Sequence, residues 1–81
     1  MANSDDKKFI KKIGEQIREL RKEQDMTQLD LAVKSGMEEN AVQRLETGRT
    51  NPTVKTLLKI SRALDVDFSK LVTFSSKKTS E

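Results

Sequence analysis

Four carboxylates, Asp25, Asp30, Glu38 and Glu39, come closest to a catalytic group in this sequence, because clustered carboxylates can hold a divalent metal ion for hydrolysis. The 81-residue chain contains no cysteine and no histidine, so the commonest zinc ligands and the usual nucleophile and base pairs of hydrolases are missing. The four carboxylates fall on predicted turns and exposed faces without an apolar pocket, so solvation accounts for them better. We therefore expect no enzyme, no metal site and no cofactor.

The composition is that of one small, basic domain. Sixteen Lys and Arg against 13 Asp and Glu give a formal net charge of +3, with 36% charged and 33% hydrophobic residues. A chain this short buries roughly 60–65% of its unfolded surface, so we expect a compact core of modest stability, which self-association would reinforce. The excess of positive charge weakly favours a polyanionic partner.

No segment has the pattern of a membrane span or an export signal. The apolar runs are far shorter than the roughly 20 residues needed to cross a bilayer. The N-terminal stretch MANSDDKKFIKK lacks the apolar core of a secretory signal. We therefore predict a cytoplasmic protein without a membrane partner, and nothing in the chain indicates a small-molecule ligand.

The elements that must position the side chains are predicted to be helices. Apolar residues recur at steps of three and four, and Pro52 is the single proline. This pattern predicts an all-α fold, a compact five-helix bundle with a central helix-turn-helix. The predicted domain spans residues 8–74, between polar tails at 1–7 and 75–81. The predicted helices cover residues 8–23, 27–35, 38–47, 53–64 and 67–73.

Capping and turn residues set the bounds of the central helices. Thr27 can cap the second helix, with Asp30 as the acidic half of a capping box. Gly36 permits the left-handed backbone that commonly ends a helix. Gly48 is expected to end the third helix, and Thr53 is expected to cap the fourth.

Four positions have the spacing of a helix-turn-helix. Ala32 allows a close helix crossing, Gly36 supplies the turn, and Val42 with Leu45 seats the third helix on the core. These four alone fit a plain helical hairpin equally well. The stretches that decide between the two are MTQLDLAVKSGM, VQRLETGRTNPT and VKTLLKISRALDVDFSKL. In that order and without gaps, they resemble the DNA-binding domain of the lambdoid repressor and Cro family, also called the Xre family.

The resemblance implies which helix reads DNA. In this family the third helix, here residues 38–47, lies in the major groove, and the second helix crosses the phosphate backbone. Glu39, Asn40 and Arg44 match the family's base-reading positions, and Gln43 faces the same way. Asn40 can bond adenine at N6 and N7, Arg44 can fork onto guanine O6 and N7, and Glu39 can accept from the N4 amine of cytosine.

Contacts to the phosphate backbone follow from the same resemblance. Gln28 matches the position where the family holds a phosphate with its side chain and the exposed amides of the helix end. A plain surface role remains open for Gln28, and Thr27 is either a cap alone or a cap that also contacts a phosphate. The other phosphate-contacting candidates are Thr47, Arg49, Thr50 and Asn51.

The resemblance also implies a structural ion pair, and the sequence departs from the family pattern at three positions. Arg21 and Glu46 correspond to a largely buried salt bridge with a positioning role. Glu38 and Glu39 replace a small capping residue and a neutral or basic one, and Asp65 stands where a glycine usually ends helix four. Two carboxylates can stabilise the start of a helix, but close to phosphates they weaken binding.

The leading hypothesis is a sequence-specific transcriptional regulator, of the repressor or controller type, that binds an inverted repeat in double-stranded DNA as a homodimer. The resemblance implies a bacterial or phage-encoded protein. The candidate dimer seam is the apolar end of the chain, with Phe68, Leu71, Val72 and Phe74. The alternative, motivated by Glu38 and Glu39, is a protein-interaction module that keeps the fold with weakened DNA recognition and binds a toxin or another regulator.

Overall fold

Five helices make up the part of the chain that the computed structural model describes, residues 4–74. No strand occurs within this range, so the prediction of an all-α five-helix bundle is confirmed. Helices two to four begin and end within one residue of the predicted bounds, and the fifth is shorter than predicted at both ends. In chain order the helices are α1 (Ser4–Glu23), α2 (Gln28–Ser35), α3 (Glu39–Glu46), α4 (Val54–Leu64) and α5 (Ser69–Val72).

α1 begins earlier than the sequence analysis predicted. Residues 4–7, predicted as part of a tail, are helical, and the helix starts at Ser4. Asp5 and Asp6 lie in its first turn, where negative charge interacts favourably with the helix dipole. These carboxylates therefore favour helix formation in the residues that precede Phe9, the first apolar residue of α1. The predicted tail residues 1–3 and 75–81 lie outside the described part of the chain.

All five helices contribute to one core. α3 packs on α1 and α2, α2 also packs on α4, and α5 packs on α1 and α4. Full burial of one Val, Leu or Ile side chain stabilises the folded state by about 1.5–3 kcal/mol. The apolar face of α3 is therefore held in place by its burial in this core. The buried apolar residues are Ile13, Ile17, Leu20, Leu31, Ala32, Val42, Leu45, Leu57, Ile60, Leu64 and Leu71.

Both ends of α2 are closed by the residues that the sequence indicated. The hydroxyl oxygen of Thr27 accepts from the N–H of Asp30 at 3.0 Å, and the Asp30 carboxylate accepts from the N–H of Thr27 at 2.9 Å. At the other end Gly36 has a φ of +71°, and a β-carbon there would meet no atom within 4 Å. Gly36 is therefore required for its left-handed backbone and not for space.

Candidate nucleic-acid interface

A buried ion pair joins α1 to the last residue of α3. Arg21 donates from Nε to Oε2 of Glu46 at 2.6 Å and from Nη2 to Oε1 at 3.0 Å. The two side chains are 10% and 2% exposed. These hydrogen bonds raise the pKa of the Arg21 guanidinium above its ordinary value. The structure thus brings the two residues of the expected salt bridge together, and their contact fixes the end of α3 relative to α1.

The same ion pair holds the turn that leads into α2. Nη1 of Arg21 donates to the carbonyl oxygen of Met26 at 2.7 Å, and Nε2 of Gln28 donates to Oε1 of Glu46 at 3.0 Å. Gln28 is half-buried at the first position of α2. One amide hydrogen of this phosphate-contact candidate is therefore engaged inside the protein. The sequence pattern does not predict this link, because Gln28 and Glu46 lie 18 positions apart in the chain.

Thr27, the neighbouring phosphate-contact candidate, is exposed and caps α2. Its hydroxyl oxygen accepts a hydrogen bond from the N–H of Asp30 within the capping box, and the Thr27 side chain also interacts with the Asp30 carboxylate. The bonds that Thr27 makes lower the pKa of the Asp30 carboxyl. Thr27 therefore has a structural role as a cap, and its contact with a phosphate stays a prediction.

The four base-reading candidates, Glu39, Asn40, Gln43 and Arg44, are all exposed on α3. The opposite face of this helix is buried in the core, so packing turns the polar face outward. Glu38 precedes the helix at the N-cap position with extended backbone and makes no side-chain cap hydrogen bond. The start of α3 therefore exposes two adjacent carboxylates.

Most of the DNA-contact candidates line one continuous surface made of two depressions. Arg44 borders both of them, so it lies at the centre of this surface. One depression is a polar cleft lined by Asn40, Gln43, Arg44, Thr47 and Arg49. The other is a groove that includes Thr50 and Asn51 from the loop between α3 and α4.

Hydrogen bonds fix the backbone at the end of α3. The Thr47 hydroxyl donates to the carbonyl oxygen of Gln43 at 2.9 Å, and the N–H of Arg49 donates to the carbonyl oxygen of Arg44 at 2.9 Å. Gly48, between them, has a φ of +74°. Because the single hydroxyl hydrogen of Thr47 is used inside the helix, Thr47 can donate to a phosphate only by giving up that bond. The Arg49 side chain is exposed beside the cleft.

Two residues of α1, Gly14 and Lys11, support this surface. Gly14 lies against the backbone of the last turn of α3, and Lys11 lies beside Gly48. The backbone and the first side-chain carbons of Lys11 therefore pack against the turn that leads to Arg49. A glycine inside a helix costs about 1 kcal/mol relative to alanine, so a glycine in the middle of α1 was the available signal of a close approach.

The expected dimer seam needs a correction at Leu71. Leu71 is 0% exposed and lies in the core, because the short α5 packs this residue inward against α1 and α4. It cannot take part in a contact with a second chain. Phe68 and Val72 are half-buried and pack against the core, so each keeps some accessible surface.

An aromatic contact joins the end of the described chain to α1. The rings of Phe74 and Phe9 meet edge to face, with their centroids 5.4 Å apart, and Nζ of Lys12 lies 5.8 Å from the centroid of the Phe74 ring. Phe9 is 48% exposed and was not among the predicted seam residues. Phe9, Val72 and Phe74 line a common surface depression, which we call the α1–α5 apolar patch.

Among residues 4–74, no group of three or more Asp, Glu, His or Cys side chains is placed to hold a metal ion. No described helix is long and apolar enough to cross a membrane.

Comparison with known proteins gives consistent matches. A family model described as helix-turn-helix, HTH_3, matches residues 17–71. An uncharacterized HTH-type transcriptional regulator, y4dJ of Sinorhizobium fredii, is 40% identical over 63 residues, which is 78% of this chain and 82% of that protein. The immunity repressor protein of Bacillus phage phi105 is 33% identical over 60 residues, 74% of this chain, and the match spans 42% of the repressor's length.

A solved structure shows the same arrangement of helices. The restriction-modification controller protein C.AhdI from Aeromonas hydrophila superposes with a TM-score of 0.75 at 34% sequence identity. The superposition covers 76% of this chain and 94% of the controller protein.

Proposed function

Because this chain belongs to the helix-turn-helix family of DNA-binding transcriptional regulators, we propose that it binds an inverted-repeat operator as a homodimer, with α3 in the major groove. Proteins of this family are not enzymes. The single observation that carries the proposal is the exposed polar face of α3, which continues into the cleft lined by Arg44 and Arg49.

The side chains of α3 suit direct reading of bases. In the major groove, Arg44 forks onto guanine O6 and N7, Asn40 pairs with adenine N6 and N7, and Glu39 accepts from cytosine N4. Gln43 lies between them on the same exposed face and lines the cleft with Asn40 and Arg44. Since the buried face of α3 is fixed by the core and by the Arg21–Glu46 ion pair, these side chains are presented by a rigid element.

Phosphate contacts on both sides of α3 set its depth and direction in the groove. Gln28 and Thr27 at the start of α2 hold one backbone strand, helped by first-turn N–H groups that lack partners inside the helix. Arg49, Thr50 and Asn51 in the loop after α3 follow the other side, with Thr47 at the helix end. Contacts of this kind position the protein and carry no sequence information themselves.

Dimerisation doubles the number of base pairs that are read. Two copies related by a twofold axis place their α3 helices one helical turn apart, roughly 34 Å, in successive major grooves. We assign the seam to the α1–α5 apolar patch of Phe9, Val72 and Phe74, with Phe68 beside it and Leu71 excluded by its burial. Asp5, Lys8 and Lys12 border this patch, so opposite charges on its rim can face each other across a twofold axis.

A second candidate function is a protein-interaction module that binds a toxin or another regulator. The observation that favours it is the pair of exposed carboxylates at Glu38 and Glu39, since Glu38 makes no hydrogen bond that caps α3. Close to DNA phosphates these charges oppose binding, apart from the hydrogen bond that Glu39 can accept from cytosine N4. Facing a basic protein surface, they favour it.

The test is a titration of the purified chain against the DNA upstream of its own gene and against a scrambled duplex, at about 50 and 200 mM salt. We expect the native duplex to bind more tightly, with affinity that falls steeply with salt. Arg44→Ala should cost about 1–3 kcal/mol on the native duplex. Arg62→Ala, an exposed arginine on α4, is the matched control and should change little.

The two functions predict different outcomes of that titration. Equal, weak and salt-insensitive binding of both duplexes contradicts the regulator and favours the interaction module. Sedimentation tests the seam separately: Phe9→Ser should weaken a micromolar dimer, whereas Val33→Ser, on the exposed face of α2, should not.

A further inference from the structure

We infer that Glu46 is a positioning residue for DNA binding: it holds one amide hydrogen of Gln28 and so presents the second amide hydrogen to a phosphate oxygen. The inference rests on the proposed function and adds a partner to the Gln28 contact. Its consequence is that the last residue of α3 orients a phosphate-binding group on α2.

The carboxylate of Glu46 is a fixed acceptor. Its two oxygens take hydrogen bonds from Nε and Nη2 of Arg21 at 2.6 and 3.0 Å, and its side chain is 2% exposed. A carboxylate held at both oxygens cannot rotate. Nε2 of Gln28, at 3.0 Å from Oε1, is therefore tied to a point that belongs to α3.

The geometry leaves one donor of Gln28 free. A side-chain amide nitrogen carries two hydrogens. Within residues 4–74, the only acceptor that the Gln28 amide nitrogen bonds is the Glu46 carboxylate. Gln28 is half-buried at the first position of α2, where backbone N–H groups also lack helical partners. A phosphate oxygen at this place meets side-chain and backbone donors together.

Arg21 makes this arrangement compatible with a nearby phosphate. The charge of Glu46 is compensated at both oxygens by the guanidinium, so the anion that orients Gln28 does not repel the DNA backbone. Because the Gln28 side chain is already ordered, binding a phosphate costs less conformational entropy than with a free glutamine. Arg21 also fixes the carbonyl of Met26, two positions before Gln28, so the backbone and the side chain at the start of α2 share one anchor.

Gln28 and Glu46 lie at the two sequence ends of the helix-turn-helix formed by α2 and α3, although their side chains are in contact. Gln28 is the first residue of α2, and Glu46 is the last residue of α3. The link therefore sets the position of the phosphate contact relative to the base-reading face. Loss of the link should weaken binding to the native and to the scrambled duplex by a similar factor, because a phosphate contact is independent of sequence.

The decisive experiment is a double-mutant cycle on DNA affinity with Gln28→Met, which keeps the length of the side chain and removes the amide, and Glu46→Gln. Gln28→Met should weaken binding to both duplexes by roughly 10- to 100-fold, the range expected for a hydrogen bond to a charged group. Glu46→Gln should weaken binding by a similar factor in the wild-type background and by much less in the Gln28→Met background. An equal loss in both backgrounds would show that Glu46 acts through the fold alone and would overturn the inference.

A second measurement is needed because Glu46→Gln also weakens the ion pair with Arg21. Circular dichroism should establish that each variant is folded at the temperature of the titration. If Glu46→Gln does not fold, the NMR signals of the Gln28 side-chain amide in the wild-type chain test whether one amide hydrogen is held by Glu46 before DNA is added. We expect one amide proton to be shifted and protected in the free protein, and the other to shift only when DNA is added. Two equivalent, rapidly exchanging protons in the free protein would overturn the inference.

The outcomes also separate this inference from the proposed function. If the wild-type chain binds DNA and the cycle shows no coupling, only the role of Glu46 is wrong. If the wild-type chain binds neither duplex, the proposed function is wrong and this inference falls with it.

Discussion

The backbone of α1 rests directly on the last turn of α3 at Gly14, where a β-carbon would lie 2.2 Å from the carbonyl oxygen of Leu45. The same atom would lie 2.9 Å from the carbonyl oxygen of Glu46. Real β-carbons do not approach backbone oxygens so closely, so no other residue fits at Gly14 without moving one of the helices. The contact at Gly14 and the Arg21–Glu46 ion pair therefore both hold the C-terminal end of α3 against α1.

Gly14→Ala should destabilise the protein by about 1–3 kcal/mol, since the overpacking cost exceeds the gain in helix propensity of about 1 kcal/mol. Urea unfolding followed by circular dichroism measures this directly. Glu15→Ala, at the exposed neighbouring position of the same helix, is the control and should leave stability nearly unchanged. A Gly14→Ala variant as stable as the wild type would show that the two helices are not in contact here.

Removal of one member of the buried ion pair should be costly. Arg21→Met leaves the Glu46 carboxylate buried without its cation, a loss of about 3–5 kcal/mol. The double variant Arg21→Met with Glu46→Leu removes both charges and should lose less than the sum of the two single variants. Chemical unfolding of the three variants measures the coupling. Strict additivity would contradict the assignment of the pair as a coupled unit.

Local signals made the central helices predictable from the sequence. The capping box of Thr27 and Asp30 and the left-handed Gly36 depend on residues within a few positions of each other, and both occur as expected. Apolar periodicity likewise indicated which face of α3 is buried, because Val42 and Leu45 lie one turn apart.

Contacts between distant parts of the chain were not predictable from periodicity. Leu71 and Phe9 are both apolar and both on amphipathic segments, yet Leu71 is buried and Phe9 is half-exposed. Which side of a four-residue helix faces inward depends on the helices beneath it and not on its own sequence. The bond from Gln28 to Glu46 has the same character, since it exists only once α2 and α3 are packed.

Asp65 ends α4 in the left-handed conformation, with a φ of 58° and a ψ of 44°. A β-carbon makes this conformation unfavourable, and glycine adopts it freely. Asp65→Gly should therefore stabilise the protein by about 0.5–1 kcal/mol, a rise of several degrees in Tm for a domain of this size. Asp65→Ala removes the same carboxylate but keeps a β-carbon, and it should show no such gain. If both variants gain equally, the charge and not the backbone conformation is responsible.

Asp30 should make part of the stability sensitive to acid. Hydrogen bonds from the backbone and side chain of Thr27 lower the pKa of the Asp30 carboxyl in the folded state. Its contribution to stability is therefore complete above the ordinary pKa of about 4 and is lost as the pH falls through the lower, folded-state pKa. Melting curves between about pH 2 and 6 should show this loss in the wild type and a weaker one in Asp30→Asn.

The control for the acid experiment is Asp25→Asn. Asp25 makes no side-chain hydrogen bond among residues 4–74, and asparagine tolerates its left-handed backbone, with a φ of 57°. Its replacement should leave the acid dependence of the Tm intact. If Asp25→Asn flattens the curve as much as Asp30→Asn does, the capping box is not the source of the acid sensitivity.

Glu38 offers a change that should improve stability and DNA binding together. It occupies the N-cap position of α3 with the right backbone, φ of −82° and ψ of 150°, but without a side-chain cap bond. Glu38→Ser supplies a hydroxyl that accepts a first-turn N–H, a gain of about 0.5–1 kcal/mol. It also removes a negative charge close to the proposed phosphate contacts, so DNA affinity should rise, most clearly at low salt.

Glu38→Ala separates these two effects, because it removes the charge without providing a cap. We expect Glu38→Ala to raise DNA affinity without raising the Tm, and Glu38→Ser to raise both. If DNA affinity is unchanged in both variants while Glu38→Ser gains stability, the start of α3 does not face the phosphates. The carboxylates at this end of the helix would then belong to a surface for a protein partner, and the reading orientation proposed for α3 would be wrong.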